Sequence, residues 1–169
     1  QRLSLFRHGA MDSPDYVLDN FNSHYEAAGK PGVAGAFTAL ELGPGDSLAS
    51  ALVVSGLGGG SCWLVDAGDF ARKDMDIYRS IAAHLRSRGI TVPDLGNVAD
   101  APAMLSQCRA RYLTNGLAGL RAIPDSSVDF IWSQAVLEHV RKHEFADTMK
   151  ELRRVLKPLM AVLALERLR

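Results

Sequence analysis

Apolar positions along this chain switch between two periods. Helical spacing comes first: Tyr16, Val17, Phe21, Tyr25 and Ala28 recur over 15–28, and Gly29-Lys30-Pro31-Gly32 ends the run. Short apolar runs then alternate with helical patterns. Phe37–Leu42 predicts a first strand, followed by a helix from about Ser47 to Val54 with Asp46 or Ser47 as its N-cap. Gly56 and Gly58-Gly59-Gly60 break that helix. Cys62-Trp63-Leu64-Val65 is a continuous apolar run ending at Asp66, the pattern of a buried parallel strand. Ile77, Ile81, Ala82 and Leu85 mark one face of a helix over 75–88, ended by Gly89. Residues 90–102 are loop-rich and 103–108 suit a short helix. Arg111-Tyr112-Leu113 predicts a third strand and Val128–Trp132 a fourth, after the polar turn Pro124-Asp125-Ser126-Ser127. A last helix spans Lys142–Leu156, with Phe145, Met149, Leu152, Val155 and Leu156 inward, and Pro158 stops it. The stretch 159–169 fits a strand over 161–165 or a helix equally well.

Strands alternating with helices imply right-handed crossovers and a doubly wound, mostly parallel sheet with helices on both faces, a Rossmann-like α/β fold. Residues 1–35 read as a helical lead-in and 36–169 as the sheet domain. A sheet of four or five strands stopping after residue 158 leaves an open edge. The expectation is therefore that C-terminal strands are missing from this sequence.

Composition narrows the picture. A chain of 169 residues suits one domain with a real core. Lys plus Arg equals Asp plus Glu at 19 each, so no overall basic field favours nucleic acid or an anionic membrane. No apolar run approaches the ~20 residues of a membrane span, and no signal peptide is visible. Cys62 and Cys108 stand far apart without a Cys-x-x-Cys, against a disulfide framework or a zinc site, and a reducing, cytoplasmic setting fits. Asp69 and Asp74 lie among Arg72 and Lys73 without a histidine, which reads as a solvated turn and not a metal site.

The chemistry concentrates in Leu40-Glu41-Leu42-Gly43-Pro44-Gly45-Asp46-Ser47, where a strand turns into a helix through two glycines. Such a bend lets bare backbone approach a nucleotide-like ligand. A dinucleotide loop wants a third glycine where Leu48 stands, and Glu41 and Asp46 place two carboxylates beside the position of a pyrophosphate. A ligand with a sulfonium and an ammonium group suits carboxylates better, and S-adenosylmethionine is such a ligand. Asp66 closes the second strand about twenty residues on, where an acid can accept hydrogen bonds from both ribose hydroxyls. That spacing does not separate the two nucleosides.

On these residues the chain resembles the class I S-adenosylmethionine-dependent methyltransferases, particularly the broad small-molecule group. The resemblance runs from about Phe37 to Pro158. Leu40–Gly45 is similar to the first family motif and Leu64-Val65-Asp66 to the second. Asn115-Gly116-Leu117 stands where the family contacts adenine. Ile123–Ile131, Ser133–Val140 and Leu152–Pro158 resemble the runs into and after the fourth strand and before the fifth. The usual third glycine is Ser47, and the glycines expected after Lys157-Pro158 are absent.

The resemblance implies a donor site of Glu41, Gly43, Gly45, Ser47, Asp66, Ala67, Asn115, Gly116 and Ser133. It implies S-adenosylmethionine as cofactor and a small-molecule acceptor, with no metal, nucleic acid or membrane partner. Oligomeric state is not readable. No catalytic residue is assigned: His139, just past the fourth strand, is a candidate base, and a helix-start histidine packing locally explains it as well. His24 and Tyr25 lie on a helix that can close over the donor, and Tyr25 reads as a core aromatic. Two alternatives stay open: an NAD-type oxidoreductase with a degenerate glycine loop, and a non-catalytic module that keeps the fold.

Overall fold

The structure, a computed structural model, describes residues 13–29 and 35–158, and the backbone of 162–165. The rest of the expected lead-in (1–12 and 30–34, including Lys30-Pro31-Gly32) and residues 159–161 and 166–169 lie outside the described residues.

The elements in chain order are α1 (Pro14–Ala27), β1 (Thr38–Leu42), α2 (Ser50–Gly56), β2 (Ser61–Val65), α3 (Met75–Ser87), α4 (Ala101–Gln107) and β3 (Ala110–Leu113). Then come α5 (Leu117–Arg121), β4 (Phe130–Ser133), a 3-10 turn (Leu137–His139), α6 (Lys142–Val155) and β5 (Val162–Leu165). The ambiguous C-terminal stretch thus contains a strand. The sheet order is β3-β2-β1-β4-β5 and every pairing is parallel. This is the expected Rossmann-like doubly wound arrangement. The order reverses at β1, which pairs with β2 on one side and β4 on the other. A crevice opens there at the carboxyl ends of the strands.

Both faces of the sheet are covered, which is why its strands read as near-continuous apolar runs. Alternate residues supply two cores. Ala39, Leu64, Phe130 and Trp132 join the core that contains the buried residues of α1 to α4. Leu40, Leu42, Val65 and Ile131 join buried residues of α5 and α6. Helix α1 is fastened by Phe21, whose ring meets Trp132 and Phe130 edge-on at 5.2 and 5.8 Å. Tyr25 stacks between Phe21 and Phe37, as its core reading requires. Cys62 and Cys108 are buried free thiols.

Four expectations change. Helix α2 starts later than predicted, behind Ala49 and without a side-chain cap. The Ser47 hydroxyl instead accepts from Ala49 N at 3.3 Å, and Asp46 is held by Arg72 at 3.3 Å. Strand β4 starts at Phe130, and Val128 forms an isolated bridge to Leu156. Helix α5 was not expected: five residues with a glycine inside carry too little periodicity. Phe145, predicted to point inward, is 42% exposed. Phe145 belongs to neither core, and its neighbours Glu144 and Thr148 on α6 line the cavity described below. No helix among the described residues is long and apolar enough to cross a membrane.

Candidate functional site

The strand ends are stitched together by backbone hydrogen bonds. Gly43 N donates to Val65 O at 2.7 Å, Asp66 N to Leu113 O at 2.8 Å, and Gly116 N to Asp66 O at 2.7 Å. The glycine bend, the end of β2 and the start of α5 therefore form one rigid ledge. Asp66 is its centre. Its carboxylate accepts from Gly45 N at 2.9 Å and from Ala67 N at 2.7 Å. Burial raises the pKa of this half-buried acid, and the two N–H groups oppose the rise.

Above the ledge lies a cavity of about 940 Å³. Gly43, Gly45, Asp66, Ala67, Asn115 and Gly116 line one side, and Gln134, Ala135, Val136 and His139, all following β4, line another. Tyr16 of α1, Phe70 and the start of α6 complete it. The bend can be this close to the β4 loop only because residue 43 has no side chain. Gly43 has φ +77°, and a Cβ there would stand 2.2 Å from Val136 Cγ2. Gly43→Ala is expected to cost about 2 kcal/mol, from the left-handed backbone and overpacking together. Urea denaturation measures this, and an unchanged midpoint contradicts it. Ala135 is also left-handed, φ 55°. A non-glycine residue held there marks a loop over-determined by its surroundings.

Three expected donor-site residues do not line the cavity. The Glu41 side chain points from β1 into the core on the α2 side. It bonds to Ser50 and Trp132, and its second oxygen, Oε2, has no partner. Burial, the largest influence, pushes its carboxyl up to about 7, and nearby Asp66 adds to the rise. Ser47 is buried beside Ala49. Ser133 is buried too, its hydroxyl donating to Leu42 O at 3.2 Å. The acidity expected to face a ligand at the bend is thus turned inward at Glu41 and paired with Arg72 at Asp46.

The remaining ledge still has a clear preference. Gly45 N is given to the Asp66 carboxylate and Gly43 N to a carbonyl, so the N–H groups that a phosphate loop offers are taken. What faces the cavity is a carboxylate with free lone pairs, which accepts from hydroxyls and repels phosphate. The residues present fit a nucleoside with free ribose hydroxyls.

Sequence reasoning missed Tyr16, Phe70 and the run Gln134–Val136. The last was findable, since it follows the strand at the point where the sheet order reverses. Tyr16 carries no local signal: it reaches the site because α1 folds back over the sheet. His24 Nε2, 2.9 Å from Gln134 Oε1, ties that helix to the β4 loop.

A family model described as a methyltransferase domain matches residues 40–162. No curated protein matches the chain. Among solved structures the chain is similar to a protein of Methanococcus maripaludis provisionally assigned as an S-adenosyl-L-methionine-dependent methyltransferase. Identity is 17%, with 87% of this chain and 53% of that one covered, and a TM-score of 0.49. It is also similar to the bifunctional kinase-methyltransferase WbdD, at 15% identity over 90% of this chain and 29% of that one, TM-score 0.42. The chain spans about half the length of the first and under a third of the second.

Proposed function

The chain belongs to the methyltransferase-domain family of the class I S-adenosylmethionine-dependent type, and on that premise we propose that it binds S-adenosylmethionine in the cavity over Asp66 and serves methyl transfer to a small-molecule acceptor. One observation carries this reading. The carboxylate of Asp66 occupies the backbone donor of the glycine bend, so the site suits a neutral ribose and a cationic group and rejects a pyrophosphate. The donor, when bound, supplies a methyl group on a positively charged sulphur that is displaced in line by the acceptor.

The protein's part is to hold and align. Asp66 accepts from the ribose hydroxyls. Gly43 and Gly45 give room for close approach, and Ala67, Asn115 and Gly116 flank the base. Glu41, Ser47 and Ser133 serve from behind, fixing the strands and the turn that carry these groups. His139, which lines the cavity past β4, is the group placed to take a proton from an acceptor that carries one. In this reading a lead-in over 1–35 precedes a donor-binding domain over 36–169, and Tyr16 of α1 forms one wall of the donor site. A concave site of this volume suits a small acceptor.

Titration calorimetry with S-adenosylhomocysteine and with NAD tests the reading. S-adenosylhomocysteine is expected to bind and, at a hundredfold excess over its Kd, to stabilise the fold by about 2.7 kcal/mol. NAD is expected to do neither. Binding of NAD, or no binding of S-adenosylhomocysteine, overturns it.

A further inference from the structure

The loop after β2 contains a large apolar side chain that the protein's own core does not use. Phe70 is 60% exposed and lines the cavity that contains Asp66. Lone exposed apolar residues are common and need no explanation. The backbone that carries this one is held in place by a neighbour. Phe70 N donates to the Tyr112 hydroxyl at 3.2 Å, and the same hydroxyl donates to Gly68 O at 3.0 Å. A single phenol on β3 thus pins both ends of the short turn. Its ring tip also lies across Gly68: a Cβ at that position would stand 2.7 Å from Phe70 Cζ. The residue directly after the acid, Ala67, presents only a methyl group, whereas Phe70, three residues further along the same loop, brings an aromatic ring to the cavity.

We propose that Phe70 is a positioning residue for the donor's base, its ring stacking on the flat heterocycle of the nucleoside whose ribose Asp66 holds. This rests on the donor reading above and extends it to a residue outside the motif positions. The physical basis is ordinary. Every heterocyclic base has a π-face, and an aromatic residue whose backbone is already held at the site loses less freedom on stacking than one on a free loop. Gly68 is part of the device, because its missing side chain leaves the space in which the ring lies. Tyr112 holds the turn in register.

Titration calorimetry with S-adenosylhomocysteine and with adenosine, on the wild-type chain and variants, tests the assignment. Phe70→Ala is expected to weaken binding of both ligands by about tenfold and by the same factor, since both carry the base. Phe70→Trp is expected to retain affinity. Gly68→Ala leaves Phe70 present but displaces its ring, and is expected to reproduce most of the Phe70→Ala loss. Combining Gly68→Ala with Phe70→Ala is expected to add little to either change alone. Phe70 is exposed, so circular dichroism of these variants should match the wild type. If the wild type binds S-adenosylhomocysteine and Phe70→Ala binds it within twofold, the stacking role is overturned while the donor reading stands. If the wild type binds neither ligand, the donor reading falls and takes this one with it.

Discussion

Replacing Asp66 with Ala is expected to abolish measurable binding of S-adenosylhomocysteine, a loss of at least about 100-fold if each charge-assisted ribose bond contributes about 1.5–3 kcal/mol. The carboxylate does two jobs, so the loss has two sources. It faces the cavity, and it accepts the Gly45 and Ala67 N–H groups that shape the bend. Asp66→Asn is expected to be nearly as severe. An amide has one acceptor oxygen, so its NH2 must face either Gly45 N or Ala67 N. The loss of the ligand-induced rise in Tm reads the same effect independently. Tight binding by Asp66→Ala would place the nucleoside elsewhere.

Glu41→Gln is expected to stabilise the fold at pH 8 by about 3 kcal/mol and to do far less at pH 5. In the unfolded chain this carboxyl releases its proton near the ordinary 4.5, and in the fold near about 7. Between those values the folded protein keeps a proton that the unfolded chain has lost. Stability therefore falls as pH rises from 4.5 to about 7 and levels off above, at about 1.4 kcal/mol per pH unit. The physical cause is the burial of Glu41 with one oxygen unpartnered. Glutamine removes the charge and keeps the shape. Urea denaturation at pH 5 and pH 8 decides the matter: an equal difference at the two pH values contradicts the assignment.

The strands and the glycine bend were legible because their signals are local. An apolar run followed by Gly43-Pro44-Gly45 names its own geometry, and Asp66 follows from where the next apolar run stops. What was not legible depended on partners far away in sequence. The carboxylate of Asp46 looks free until Arg72 is known to lie beside it. Glu41 looks like a ligand group until the strand's alternation is given a direction, with Ala39 and residue 41 sharing the α2 side. The sulfonium argument from two flanking acids therefore gives way to one from the occupied Gly45 N–H, which only the folded chain displays. Phe145 was misread for a related reason: a helical period gives the spacing of a face but not how far along the helix that face is covered.

The reversal of strand order at β1 separates two tasks. On the proposed function, the groups that grip the nucleoside come from the β1–β2–β3 half of the cavity, whereas Gln134 through His139 and the start of α6 come from the β4 half. Only β1 is shared by both. On that same reading, changes in the second half retune which molecule is modified and leave the grip of the first intact, so acceptor choice is free to diverge without reinventing the donor cradle.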